Sequence, residues 1–382
     1  MKIAIVSPAI VSPEYESEKY YCSQQVSLAK ALVKEGFKVD IFTIGSEERS
    51  KKVEVSKNKL INIFYLKSIS LIPKQPVMYQ LERYLKKGKY DIIQVSDDCA
   101  LNTVYTIHLA KKIRVPVLIF QGPYKYSNKF PWKLLWPLYD TLLHTYIKKN
   151  IYKIVSKTEA TKKFMIKKGY KNVETIPIGV DTKLFYPRKK LTKKRLGINK
   201  GPLILYVGVL EDRKNILLLI DVLSILVKDM PNIKLVVIGK GKLKKILINK
   251  ITKYNIGNNI ILIDSVLNEE LPFFYSFSDL FIILSKYEIF GIVLLESMAC
   301  GTPVVSTPTA GALDVIKHNY NGLIVNYNKN DIANSVLDLL TNEKRLYKIN
   351  NFALKTIKMS YDWGVIAKRY KKLYEECLKN SL

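Results

Sequence analysis

The sequence predicts an α/β protein of two domains, each built on a mainly parallel sheet. Three observations carry that expectation. The chain has 382 residues, nearly half of them hydrophobic, which is enough for two cores. Short apolar runs rich in Ile, Val and Leu recur between amphipathic stretches, as buried parallel strands do. The stretch 279–307 reads as strand, tight turn, buried helix, glycine stop and strand, which is one βαβ unit.

Taken in order, KIAIVS (2–7) is the first buried strand. A loop runs to about Tyr21. QQVSLAKALVKE (24–35) carries Val26, Leu28, Ala29, Leu32 and Val33 at helical spacing, and Gly36 stops it. FKVDIFTI (37–44) is the next strand. YDIIQV (90–95) is a strand, 102–112 a helix, and VPVLIF (115–120) a strand leading into Gln121-Gly122-Pro123. Residues 153–156 form a short strand and 159–168 a helix. Gly179 and Pro187 mark turns, and the basic stretch 188–202 is the expected linker.

LILYV (203–207) opens the second domain, followed by the loop GVLEDRKN (208–215) and a long amphipathic helix at 216–228. KLVVIG (234–239) is a strand ending in a Gly239-Lys240-Gly241 turn. Strands are expected at 259–263, 279–285, 302–307 and 321–325, and helices at 269–276, 331–340 and 343–360. A last helix runs over 361–379. The expected division is 1–187 and 188–360.

Composition bounds the function. The net charge of +29 would suit nucleic acid, an anionic membrane face or an acidic substrate. Much of it is Lys in a chain also rich in Ile, Asn and Tyr, and no usual nucleic-acid motif is present. No apolar segment reaches the roughly 18 residues of a membrane span, and the start of the chain does not read as a signal peptide. Cys22, Cys99, Cys300 and Cys377 are scattered without ligand spacing, so reduced thiols and a cytoplasmic location are expected. The histidines His108, His144 and His318 share no spacing and read as structural or surface residues.

The chemistry concentrates in SKYEIFGIVLLESMACGTPVVSTPTAG (285–311). Gly291 permits a close turn and opens a helix whose free N–H groups attract phosphate. Ile292, Val293, Leu294, Leu295 and Met298 wrap most of that helix, so a carboxylate at Glu296 needs a partner. Glu288 stands at the carboxyl end of a strand, where open α/β sheets bind ligands. Glu296 follows about one and a half turns into the helix, roughly 8 Å along its axis. Two carboxylates for hydroxyls and a helix tip for phosphate suit a polyhydroxylated phosphate ester. The competing reading makes Glu288 a solvated loop residue and Glu296 a helix-face charge.

Glu288-x-Phe290-Gly291 followed by Glu296-Ser297-Met298-Ala299-x-Gly301-x-Pro303-Val304 resembles the E-x7-E signature of the retaining glycosyltransferases of family 4. The resemblance covers nearly the whole chain and is strongest over 171–182 and 203–325. It implies the GT-B fold, two Rossmann-like doubly wound domains facing each other across a cleft that holds donor and acceptor, with the terminal segment 361–382 returning to the first domain. It implies transfer of a sugar from a nucleotide sugar, such as a UDP- or GDP-sugar, to a hydroxyl of a saccharide or lipid-linked acceptor. The anomeric configuration is retained, and no metal or cofactor is needed.

The resemblance also assigns roles. Glu296 holds ribose hydroxyls. Glu288 holds sugar hydroxyls, helped by the amides of Phe290, Gly291 and the adjoining Ile292. Lys214 neutralises the diphosphate, with Arg213 beside it, because the leaving nucleoside diphosphate gains negative charge. Gly208 and Gly239 supply the close turns of the loops, and Val266 lies where the nucleotide base is met. Gln121 takes the place where the family commonly has a His lining the sugar site; its alternative reading is a turn residue.

Three departures stand out: Val209 replaces the usual arginine, Gln121 the histidine, and the first loop lacks a glycine pair, with Tyr20, Tyr21, Cys22 and Ser23 in its place. Residues 124–173 carry twelve lysines against Asp140 and Glu159, with Phe130, Trp132 and Trp136 among them. Aromatics among lysines suit an anionic membrane surface; a packed helix with a solvated basic face is the other reading. A non-catalytic sugar-nucleotide-binding subunit, a GT-B epimerase or phosphorylase, and a nucleic-acid-binding protein are the competing functions, the last disfavoured.

Overall fold

A computed structural model describes residues 1–10, 23–56, 59–70, 72, 75–125, 142–188, 197–198 and 200–380. They fall into two compact units. The first runs from Met1 to Ile178 and takes in Trp363–Leu382; the second is Gly179–Asp362.

The first unit is built on an eight-stranded sheet ordered β3-β4-β2-β1-β5-β6-β7-β8. Its strands are β1 (Lys2–Ile10), β2 (Lys38–Ile44), β3 (Arg49–Ser56), β4 (Lys59–Leu66), β5 (Ile92–Ser96), β6 (Val117–Gln121), β7 (Lys153–Ser156) and β8 (Val173–Thr175). All neighbours pair in parallel except β3 with β4. The core strands bury Ile3, Ile5, Phe42, Ile93, Val95, Leu118, Ile119 and Ile154, as the unbroken β-branched runs require of a sheet covered on both faces.

The β3–β4 hairpin was not visible as structure in the sequence. RSKKVEVS is mostly charged and polar, because β3 is an edge strand, and lysine on an edge blocks further pairing. Helix Gln24–Lys34 begins at Ser23, whose hydroxyl accepts from the Val26 amide, and buries Leu28, Leu32 and Val33.

Helix Trp363–Lys379 closes this unit, burying Ile366, Tyr370, Leu373 and Tyr374. Tyr374 donates to Gln94 on β5 at 2.8 Å, and its ring meets Phe37 edge-on at 5.7 Å. Arg369 donates to the carbonyl of Thr175 at 2.5 Å.

The second unit carries a six-stranded parallel sheet ordered β11-β10-β9-β12-β13-β14. These are β9 (Leu203–Val207), β10 (Lys234–Ile238), β11 (Ile260–Ile263), β12 (Leu280–Ile283), β13 (Val304–Ser306) and β14 (Leu323–Ile324). Order runs outward in one direction from β9 and in the other from β12, which is the doubly wound arrangement. Helix Ile216–Asp229 buries Leu219, Ile220, Leu223 and Leu226 against the sheet, in a core that also holds Leu235, Val237, Leu280, Ile282 and Leu339.

The division falls after Ile178 rather than at Pro187. The segment between belongs to the second unit because it is anchored there. The Val180 amide donates to the Tyr361 carbonyl at 2.8 Å, Thr182 bonds Asp362 at 2.5 Å, and Phe185 packs edge-on against Tyr275 at 6.2 Å. No helix among the described residues is long and apolar enough to cross a membrane.

Candidate active site

In a doubly wound sheet the strand order reverses at one point, and the loops leaving the carboxyl ends on either side form a crevice. In the second unit that point lies between β9 and β12. The loop after β9 holds Gly208 and then the short 3-10 turn Asp212–Lys214. The loop after β12 holds Ser285 and Glu288. A backbone bond from Lys286 to the carbonyl of Arg213, 2.8 Å, ties the two together.

Glu288 is buried at 7 % exposure. Its Oε1 accepts from three donors: the ammonium of Lys214, Nη1 of Arg213 at 3.2 Å and the hydroxyl of Ser285 at 3.3 Å. A buried carboxylate requires such company. Lys214 is itself buried, while Arg213 reaches back to Glu211 at 2.6 Å. Ser285 is held in turn, its carbonyl accepting from the hydroxyls of Thr307 at 2.7 Å and Tyr327 at 3.1 Å.

Gly291 adopts φ 83°, the left-handed region that glycine enters without steric cost, and stands as N-cap of helix Ile292–Ala299. No side chain caps that helix; the Leu294 amide bonds back to the Gly291 carbonyl at 3.0 Å, and the Ile292 and Val293 amides ahead of it lie in the first turn, where a helix offers no acceptor of its own. A Cβ at Gly291 would sit 4.0 Å from Cγ of Glu288, so the acid lies beside the helix tip. Phe290 is buried, and its carbonyl lies 1.9 Å from where a Cβ on Gly311 would be; only glycine at 311 permits that contact.

Glu296 sits in the second turn of the same helix at 7 % exposure. Its Oε2 accepts from the Tyr275 hydroxyl at 2.9 Å. Burial raises its pKa from the ordinary 4.5 to about 7, with the Tyr275 bond opposing the rise. The apolar surroundings read from the sequence are therefore present, and so is the partner that such a residue needs.

The glycine turns work by backbone proximity. A Cβ on Gly239 would meet the carbonyl of Gly208 at 1.9 Å, and one on Gly241 the carbonyl of Leu210 at 2.3 Å. The β9 and β10 loops are thus stapled to each other, with Gly208 donating to Ile238 at 3.0 Å. Beneath them Tyr206 bonds the carbonyl of Val209 at 3.2 Å; burial, then the charge of Glu288, pushes its phenol pKa up. Val266 lies half-buried in the loop after β11.

Gln121 belongs to the first unit, at the carboxyl end of β6. Its carboxamide is occupied within its own turn: Oε1 accepts from the Asp98 amide at 2.8 Å and Nε2 donates to the Pro123 carbonyl at 3.4 Å. The turn-residue reading of Gln121 is the one this geometry favours, because a carboxamide bonded at both ends offers little to a sugar hydroxyl. Tyr20, Tyr21 and Cys22 of the first loop, and Phe130, Trp132 and Trp136 of the basic segment, lie outside the described residues.

Sequence reading missed Tyr275, Ser285 and Tyr327. Ser285 had a signal, as a small polar residue ending a buried strand. Tyr275 and Tyr327 had none, since their partners are set by tertiary packing.

The family model described as glycosyl transferases group 1 matches residues 188–356, and that described as Glycosyltransferase Family 4 matches 25–184. An uncharacterised glycosyltransferase of Methanocaldococcus jannaschii is 28% identical over 376 residues, spanning 91% of this chain and 92% of that one. A GDP-mannose-dependent alpha-(1-6)-phosphatidylinositol monomannoside mannosyltransferase of Mycobacterium tuberculosis is 26% identical over 208 residues, covering 51% of this chain and 54% of its own. Among solved structures, Anabaena HepE in complex with UDP superposes with a TM-score of 0.78 over 98% of this chain and 100% of that one, at 16% identity. Two doubly wound units, a carboxylate-and-cation cluster at the switch point of the second, and these matches together place the chain in glycosyltransferase family 4, with the GT-B fold.

Proposed function

We propose that this glycosyltransferase moves a sugar from a nucleotide diphosphate sugar to a hydroxyl of a saccharide or lipid-linked acceptor, with retention and without a metal. The observation that carries the reading is the meeting of Lys214, Arg213 and Glu288 beside the uncapped start of helix Ile292–Ala299. Two cations and a helix tip suit a diphosphate, and carboxylates suit hydroxyls.

In the step proposed, the bond from the anomeric carbon to the diphosphate oxygen breaks and a bond to the acceptor oxygen forms on the same face. The acceptor proton passes to the departing phosphate. Lys214 and Arg213 neutralise the charge that gathers there, which is the role a divalent ion would otherwise fill. Glu288 aligns the sugar through its hydroxyls and Glu296 the ribose. Phe290, Gly291 and Ile292 contribute backbone amides, and Val266 borders the base.

The Mycobacterium relative is named for GDP-mannose and HepE was solved with UDP, so either base deserves testing. A panel of UDP- and GDP-sugars, scored by thermal shift and then by product analysis, tests the reading; ligand at a hundred times its dissociation constant adds about 2.7 kcal/mol. Products of retained configuration, formed in the presence of chelator, are expected. Binding without turnover would leave a nucleotide-sugar-binding subunit, and an altered free sugar or sugar phosphate would indicate an epimerase or phosphorylase.

The net charge of +29 supports a cytoplasmic protein working at the inner face of a membrane. Co-sedimentation with anionic but not neutral vesicles, weakened by salt, is the expected result.

A further inference from the structure

The two oxygens of the Glu296 carboxyl stand in unlike places. Oε2 accepts from the Tyr275 hydroxyl at 2.9 Å, and this is the one hydrogen bond the carboxyl makes among the described residues. Oε1 has no such partner, yet it is not among the buried polar atoms sealed off without one. One oxygen is tied inside the second unit, and the other keeps its lone pairs for a ligand.

The donor is itself firmly held. Tyr275 is fully buried in helix Leu271–Phe277. Its ring meets Phe281 edge-on at 5.5 Å and Phe185 at 6.2 Å, and its carbonyl accepts from the Thr302 hydroxyl. A ring clamped in this way fixes where its hydroxyl points. Burial keeps the phenol proton on, so against a carboxylate the hydroxyl donates.

We propose that Tyr275 is a positioning residue of the ribose subsite: its hydroxyl fixes Oε2 of Glu296, so that Oε1 alone is presented to the ribose hydroxyls of a nucleotide. The assignment of Glu296 to ribose rests on the nucleotide-sugar reading above. The same bond has a second effect. Burial raises the Glu296 pKa to about 7 and the Tyr275 bond opposes that rise, so the phenol helps to keep the carboxyl in its accepting, charged form. The other groups around Glu296 do not titrate in that range. The Cys300 thiol is pushed up by burial, and the Arg188 guanidinium acts on it from beyond. Strands β12 and β13 bring no titratable side chain, and helix Glu343–Ser360 buries Ile349, Ala353 and Ile357.

The experiment measures binding of UDP and GDP to the full chain by calorimetry, beside analogues that lack both ribose hydroxyls. Tyr275→Phe keeps the ring and removes the donor. It weakens the ribonucleotide about tenfold and the analogue by less than about twofold. Equal weakening of both, or none, overturns the proposal, because a merely structural tyrosine does not tell ribose from its dideoxy form. Both ligands meet the same protein, so a partial loss of folded chain cancels.

The second readout is pH. Ribonucleotide affinity falls as pH drops through the titration of Glu296, and Glu296→Gln, measured in parallel, subtracts the titration of the ligand's own phosphate. In Tyr275→Phe the midpoint of that fall moves up by about one pH unit. Tyr275→fluorotyrosine, a stronger donor of nearly the same shape, moves it down and serves where Phe does not fold. A midpoint unmoved in either variant overturns the proposal.

A chain that binds ribonucleotides with this dependence on Tyr275 but transfers no sugar upholds the assignment and refutes the transferase reading. Ribonucleotide binding left unchanged by Tyr275→Phe refutes the assignment alone. No binding of either diphosphate to the parent chain refutes both.

Discussion

The ammonium of Lys214 donates to the same oxygen of Glu288 that Arg213 and Ser285 reach. One acid therefore gathers the cations of the β9 loop while it waits beside the helix tip at Gly291. Glu288 thereby holds the buried lysine in place. On the proposed function, a diphosphate that supplies new acceptors draws the lysine to itself and releases the carboxylate to sugar hydroxyls.

That exchange predicts unequal effects of two substitutions. Lys214→Met removes charge opposite the leaving group and lowers kcat by about 100- to 1,000-fold, the range seen when one such donor is lost. Glu288→Gln lowers kcat by a similar order while the chain stays folded. Because the two act on one unit, the double variant falls well short of the product of the single losses. Steady-state kinetics on the four proteins check this, and strictly multiplicative losses would separate the two residues.

Glu296 predicts a pH dependence of stability. Its folded pKa, about 7, stands above the ordinary 4.5 because the carboxyl is buried. Between those values the folded chain holds a proton that the unfolded chain has released. Stability from this group is thus fullest at the acid end and falls as pH rises through the window. Glu296→Gln has no such proton. Urea midpoints at pH 5 and pH 8 should show the parent chain losing roughly 2–3 kcal/mol relative to the variant.

Gly311 carries the third prediction. A methyl there meets the carbonyl of Phe290 at 1.9 Å, and backbone, not a flexible side chain, must move. Gly311→Ala should cost about 1–3 kcal/mol in denaturant unfolding. It should also weaken nucleotide-sugar binding, because the strained turn is the one that presents Gly291 and Ile292. Unchanged affinity would remove that turn from the donor site.

Tyr374 carries the fourth. Its hydroxyl is the partner of Gln94 inside the sheet of the first unit, and both are buried. Tyr374→Phe keeps the ring and leaves the Gln94 oxygen unpaired, at about 1–3 kcal/mol. Chemical denaturation reads the loss. Sugar transfer under stabilising conditions is expected to persist, since neither residue lies at the candidate site.

Much of the architecture could be read ahead of the coordinates. Strands such as 203–207 and 234–239 declare themselves because a parallel strand buried on both faces must be apolar throughout. The helix after Gly291 declares itself through its glycine bounds. The β3–β4 hairpin did not, since an exposed antiparallel edge tolerates lysine and mimics a loop. The division between units was also misplaced in the sequence, where Pro187 is a plain turn signal; Val180 and Phe185 had already docked onto Tyr361 and Tyr275.

Local pattern by itself pointed to two α/β domains and singled out the acids at 288 and 296, because periodicity and glycine placement are properties of neighbouring residues; the family came from the resemblance of the motif around those acids. Tertiary structure alone decided who partners whom. Residues as far apart as Lys214 and Glu288, or Tyr275 and Glu296, meet only after sheets form and helices pack, and burial then sets their charges.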